Sequence, residues 1–376
     1  MRLVADSGLW STGPVSEATP LAAVLEVSGA VLSWTLDDPD DAGIHITFTD
    51  FGRADWLWRV LGEPGHVALA SAVGSADEPH SIDLAGVDIL PGSLRALRRL
   101  AVGHWLRRWW PASRQDGIAG LDRALLDLEV AVLTTGAQGF FADDTLDSDV
   151  ADLLAPHAAA LAAHVADGDP RALELVRAGA RLADEFGVDG HGWPELFAAL
   201  DDSDAVLLFP SGRRDDYALA AGADSGPRAA APIARGVASV HWGGVPPGIF
   251  DAGEDTVDWT IEAAETAVVA LVRVAVIGPD APTGIGVRLR SGEITGAGAL
   301  DADGRATLPL LDARQRPLSE AEAWDHDWSA TSVVIGAETT EPTETRERVR
   351  RWARARLDRP ADDAFLAEIL AAESAY

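Results

Sequence analysis

Cysteine, lysine and asparagine are all missing from this chain of 376 residues, and methionine occurs once. Without cysteine there is no thiol nucleophile, disulfide, iron–sulfur cluster or thiolate zinc site. The redox compartment stays open. Without lysine there is no Schiff base, no pyridoxal anchor and no P-loop lysine. All 30 basic residues are therefore arginine. These absences match a coding sequence of extreme GC content and point to a bacterial source.

Positive charge is scarce as well. Sixty Asp+Glu against 30 basic residues leave a formal net charge of −30. Such a field repels phosphate, so neither nucleic acid nor an anionic membrane is an expected partner. Long apolar runs are lacking too. The most apolar stretch, Ala267 to Ile277, contains Arg273 and falls far short of the ~20 residues that span a bilayer. It reads as a buried strand. The opening, MRLVADSGLWSTG, has neither the basic region nor the apolar core of a signal peptide. A cytoplasmic location is expected. The length suggests two or three domains, each able to bury its own core.

Against this acidic background one stretch stands out. Ser93 to Pro111, SLRALRRLAVGHWLRRWWP, carries Arg95, Arg98, Arg99, Arg107 and Arg108 with Trp105, Trp109 and Trp110, and holds no carboxylate. A helix is expected from Ser93, as N-cap, to Trp110, stopped by Pro111. Its apolar residues lie on more than one side, as in a strut covered by several neighbours. The alternative is a docking surface, since Arg and Trp are enriched at interface hot spots.

Residues 1–92 read as a β-rich domain. LAAVLEV and AVLSWTL flank Ser28-Gly29, a two-residue hairpin connection, and DDPDD is the next turn. Gly43 to Thr49 alternates, with Ile44, Ile46 and Phe48 on one face and His45 toward solvent. Trp56 and Trp58 share a face at period two, and HVALASAV and SIDLAGV read as further strands.

Residues 93–205 read as mostly helical. Ile118, Leu121, Leu125, Leu128 and Val132 form a regular stripe over a helix from Ile118 to Leu133. Asp143, Asp144, Asp147 and Asp149 lack the glycine and distal glutamate of a calcium loop, and lead into a helix from Asp149 to Ala166. His157 and His164 on that helix are two turns apart, longer than the chelating HxxxH spacing, and are expected to be satisfied in place. A helix follows from Asp169-Pro170 to Phe186, ended by Gly187. His191 lies in a Gly-rich loop, and Glu195 to Leu200 is a helical turn. DAVLLFP, Asp204 to Pro210, reads as a buried strand.

Residues 206–235 include a Gly-, Ala- and Asp-rich stretch expected to be a linker. Ser225 does not fit the GxSxG elbow, and Gly296-Ala297-Gly298 lacks the third glycine of a dinucleotide loop. From Val237 short strands return: VASVHW, TVDWTIE, TAVVALVRVAV, IGVRLR, GRATLPLL and TSVVIG, separated by turns. This spacing predicts an antiparallel β-sandwich over residues 236–340. GALDADGRATLPLL resembles the hairpin of prealbumin-like or Ig-like modules, a resemblance that implies fold and not activity. WDHDW, Trp324 to Trp328, gathers Asp325, His326 and Asp327, but neighbours on an extended chain point opposite ways. It reads as a surface loop with two tryptophan anchors.

The tail, residues 341–376, reads as two helices broken at Arg359-Pro360. The first carries Arg346, Arg348, Arg350, Arg351, Arg354 and Arg356, with Glu344–Arg348 and Glu347–Arg351 in the favourable i,i+4 order. The expected class is thus α+β: a β-rich N-terminal part, a helical middle, an Ig-like or prealbumin-like sandwich and a helical tail. No catalytic set is recognisable and no cofactor or metal is implied. The expectation is a non-enzymatic interaction or scaffold component of a bacterial multi-protein system, with a protein partner. The surface would come from Arg95, Arg98, Arg99, Arg107, Arg108, Trp109 and Trp110, and from Arg346, Arg350 and Arg354. One alternative is a hydrolase or metal enzyme built on His157, His164, His191, His241 or His326 and nearby carboxylates. A weaker one is single-strand nucleic-acid binding by the Arg/Trp helices.

Overall fold

A computed structural model describes residues 1–38, 43–74, 81–141, 150–206, 232–264 and 267–374. The fold is α+β, and the chain divides into two compact units. The first gathers residues 1–110, 121–205 and 344–376; the second gathers 111–120 and 206–343.

The first unit carries an antiparallel sheet of β1 (Arg2–Asp6), β2 (Leu9–Thr12), β3 (Ala22–Val27), β4 (Ala30–Thr35), β5 (His45–Phe48) and β6 (Ser81–Asp83), in the order β3-β4-β5-β2-β1-β6. The β3–β4 hairpin turns at Ser28-Gly29 as its sequence indicates, with Gly29 at φ +72°. In β5, Ile46 and Phe48 are buried and His45 and Thr47 half-buried, matching the alternation. HVALASAV is not a strand. It lies inside α1 (Trp58–Gly74), which kinks at Gly62. Pro64 suits the first turn after that kink, and the alanines favour helix. Trp56 and Trp58 also part company: Trp56 is buried and donates its indole N–H to the Ser28 carbonyl at 2.7 Å, whereas Trp58 is 51% exposed.

The Arg/Trp stretch forms α2 (Arg95–Trp109). Its N-cap is Leu94 and not Ser93, whose hydroxyl turns back to the Leu90 carbonyl at 2.7 Å. α3 (Arg123–Gln138) starts later than the leucine stripe suggests, because the Asp122 carboxylate caps it by accepting from the Leu125 N–H at 2.9 Å. Ile118 instead bridges to Ser113 in the second unit. The helix expected over 149–166 is α4 (Val150–Leu154) and α5 (Ala158–Asp167), separated at Pro156. α6 (Pro170–Glu185) is capped by Asp169 as expected. α7 (Trp193–Val206) is longer than expected and takes in the first residues of DAVLLFP. The rest of that segment, Ser225, the acidic run from Asp143 to Asp149 and most of the 206–235 linker lie outside the described residues. Helices α9 (Thr343–Asp358) and α10 (Leu366–Ser374) complete this unit.

The second unit is one seven-stranded antiparallel sheet. Its strands are β7 (Ala234–Ala238), β8 (Val257–Ala263), β9 (Val268–Val274), β10 (Gly286–Ser291), β11 (Ile294–Ala299), β12 (Arg305–Leu311) and β13 (Ser332–Ile335), with α8 (Glu320–Asp325) before β13. The order is β13-β10-β11-β12-β9-β8-β7. β12 pairs with β9 over Arg305–Pro309 and with β11 at Leu310 and Leu311. Alternate residues of β8, β9, β10 and β12 point into one shared core. β11 was not legible as a strand because of its glycines. A Cβ at Gly296 would stand 2.7 Å from a Leu310 methyl, and one at Gly298 2.7 Å from a Leu308 methyl. Only glycine lets β11 lie this close to those side chains. Among the described residues no helix is long and apolar enough to cross a membrane.

Candidate functional site

Helix α2 is covered on several sides, and this explains its loose amphipathicity. It packs on β3 and on α3. Leu97, Leu100, Ala101, Trp105 and Leu106 are buried. Trp105 donates its indole N–H to the Pro20 carbonyl at 2.7 Å and meets Trp352 edge-on at 5.0 Å. Gly103 sits where a Cβ would be 2.7 Å from a Val130 methyl and 2.8 Å from the Phe365 ring.

The arginines of α2 fall into two groups. Arg107 Nε donates to Asp127 Oδ1 at 2.6 Å, and Arg123 Nε donates to Oδ2 at 3.1 Å, where His157 Nε2 also lies at 2.9 Å. Burial alone would raise the Asp127 carboxyl. The His157 hydrogen bond and the charges of Arg107 and Arg123 outweigh it and hold the group below its usual range. Arg99 pairs with Glu129, and its Nε donates to the Asp363 carbonyl. Burial pushes the Glu129 carboxyl up, against the Leu366 N–H and the Arg99 charge, and nearby Glu368 pushes it further. Arg108 lies over the Trp109 ring at 4.4 Å, and Trp109 and Trp110 are half-buried. Arg99 and Arg107 thus tie α2 to α3, whereas the Arg108–Trp109 contact stays within α2.

Arg95 and Arg98 differ. Arg95 is exposed and Arg98 half-buried. Neither has an ion pair or a side-chain hydrogen bond among the described residues. Both line two adjoining clefts. The first, of about 800 Å³, runs along β1, β4, β5 and the segment 87–94. The second, of about 1030 Å³, runs between α2, the end of β4 and the α9–α10 corner, where Arg99, Arg356 and Arg359 also line it. The clefts share Trp34, Thr35, Asp38, Arg95 and Arg98.

The tail arginines require a correction. Arg346 and Arg350 are each only 4% exposed and present no docking surface. They sit on the same side of α9 as the buried Val349, Ala353 and Leu357. Arg354 is exposed and has a partner. Arg348 leaves its own helix for Asp37 at 2.8 Å and Glu17 at 3.0 Å. Arg356 pairs with the fully buried Glu368 at 2.5 Å and with Asp363 at 3.2 Å. Glu368 is not legible as a core group in the sequence, because a glutamate is almost never fully buried unless paired and its partner Arg356 lies on another helix.

The histidines are engaged separately. His157 and His164 are satisfied in place: His157 meets Asp127 and His164 meets Asp122, each at 2.9 Å. His241 Nδ1 lies 2.5 Å from the Thr339 carbonyl, and His191 is exposed. In WDHDW the side chains diverge: Asp327 accepts from the Ser329 N–H, His326 Nε2 lies 2.9 Å from Ser291 Oγ, and Asp325 ends α8. Trp328 is a buried anchor, but Trp324 is exposed. The Ser291–His326 pair has the composition of a hydrolase dyad, yet Ser291 is fully buried and accepts a hydrogen bond from the Thr331 hydroxyl at 3.1 Å. Among the described residues no three His, Asp or Glu groups are placed to hold a metal ion. No known protein family matches this chain, no curated protein is similar to it, and no solved structure matches it.

Proposed function

We propose that the protein is a non-enzymatic interaction component and that it holds a carboxylate-bearing segment of a partner protein along the two clefts beside α2. The observation that carries this is the pair Arg95 and Arg98. In a chain with twice as many carboxylates as arginines, these two guanidinium groups sit at the junction of the clefts with no ionic partner among the described residues. The net charge of −30 does not forbid such binding, because at physiological salt a field is screened within about 8 Å. Two clefts that share five lining residues together exceed what one small ligand occupies, typically about 300–1,000 Å³, and suit an extended chain. A phosphate backbone fits less well, since Asp6, Asp38 and Asp88 line the first cleft and Asp37, Asp362 and Asp363 the second. Spaced carboxylates avoid these groups and a dense polyanion does not. The same objection applies to single-strand nucleic acid. The test is fluorescence anisotropy with a labelled peptide of spaced Asp and Glu in Gly/Ser. Binding is expected, and Arg95→Glu with Arg98→Glu should weaken it about tenfold or more without shifting the melting temperature. Equal binding by the double variant would remove the proposal.

A further inference from the structure

We infer that the partner segment bears a large apolar or aromatic side chain that seats in the first cleft, next to the carboxylate held by Arg95 and Arg98. This rests on the docking reading above and adds the identity of the anchor. Among the described residues ten large apolar side chains are exposed, and three of them line this cleft: Val4 (43% exposed), Val15 (88%) and Leu90 (45%). They ring an opening whose walls are Trp34, Ile44 and Leu94, all buried. An apolar rim around an apolar recess is costly to leave in water and marks an interaction site on a soluble surface. The second cleft lacks this rim, and five arginines and four carboxylates dominate its lining. The site therefore has two chemically different halves joined at Arg95 and Arg98. Interface anchors characteristically fill such a recess while charged neighbours set register and exclude wrong partners.

Two labelled peptides separate the cases on the intact protein. One has spaced Asp and Glu in Gly/Ser; the other is identical except for a single Phe beside a central Asp. The Phe peptide should bind about tenfold tighter or more, the gain from burying one large apolar side chain. Val4→Thr with Leu90→Ser, both at exposed positions, should erase that gain, leave the acidic peptide's affinity unchanged and preserve the melting temperature. Equal binding of the two peptides, or a Phe advantage that survives the rim variant, overturns the inference while leaving the docking reading intact. Binding of neither peptide overturns both. If octanoate binds more tightly than the Phe peptide and displaces it, the cleft takes a small amphiphilic anion and the inference falls.

Discussion

At the scale of single residues, the two kinds of arginine on α2 differ in what their removal does. Arg107 ends on a buried carboxylate, whereas Arg95 and Arg98 end on open clefts. The Asp127 site makes the structural kind measurable. Asp127 is held below its usual range, so its folded value is depressed relative to the unfolded chain. Its contribution to stability is complete above the unfolded value, about 3.9, and is lost as pH falls through the folded value. Asp127→Asn leaves Arg107 without its buried counterion and should cost about 3–5 kcal/mol at pH 7. The gap between variant and parent should narrow as pH drops below about 4. Urea melts at pH 7 and pH 3 check this, and a gap independent of pH would contradict it. Glu129 works in the opposite sense: its value is raised, so its contribution is present at low pH and is lost as pH climbs through the folded value. None of these pairings was legible in the sequence. His157 and Asp127 are 30 positions apart, and only the packing of α3 against the α4–α5 region joins them.

At the scale of elements, two glycines on neighbouring helices should respond to alanine with opposite signs. Gly103 lies in the close crossing of α2 with α3, facing Val130 and Phe365. The helix-propensity gain of about 1 kcal/mol meets an overpacking cost of about 1–3 kcal/mol, so Gly103→Ala should destabilise. Gly136 on α3 is exposed, and nothing lies within 4 Å of its added Cβ. Gly136→Ala should therefore stabilise by about 0.5–1 kcal/mol. Denaturation midpoints of the two variants decide, and shifts of the same sign would show that the crossing is slack enough to take a methyl group. α2 was legible as a helix from its boundaries and its mixed faces. HVALASAV was misread because an apolar run bounded by turn residues is ambiguous between strand and helix, and Glu63-Pro64 settles it as a helix start. The leucine stripe at Ile118 was misread because two apolar residues, Ile118 and Leu121, happen to continue the period upstream of the Asp122 cap.

At the scale of the whole molecule, neither unit is one continuous stretch of chain. Pro111–Gly120 leaves the first unit and is clasped by the second. The buried Asp251 carboxylate accepts from the Arg114 N–H at 2.8 Å and the Gly253 N–H at 2.9 Å, and the Ala252 N–H reaches the Ala112 carbonyl at 3.0 Å. Asp251→Ala leaves those two N–H groups unanswered, at about 1–3 kcal/mol for each. Calorimetry should show the seven-stranded unit melting earlier, and an unchanged profile would mean that the clasp contributes nothing. Strand spacing in the sequence announced antiparallel strands here but pointed to a two-sheet sandwich; the structure joins them in one seven-stranded sheet. The ten-residue clasp could not be read, because PASRQDGIAG has turn chemistry and no period, and its tie to Asp251 spans 137 positions.

The interleaving also sets an order of events during synthesis. Translation proceeds at about 5–20 residues per second, and domains fold as their residues emerge. All the strands of the seven-stranded unit, and its clasp, are out by residue 343. The earlier unit must still wait for Trp352, Phe365 and Glu368, which supply the edge contact to Trp105, the ring against Gly103 and the buried counterion of Arg356. A unit begun first is thus finished last. Its half-built core is open to chaperones and proteases during that interval, and a premature stop after residue 343 would leave it open for good.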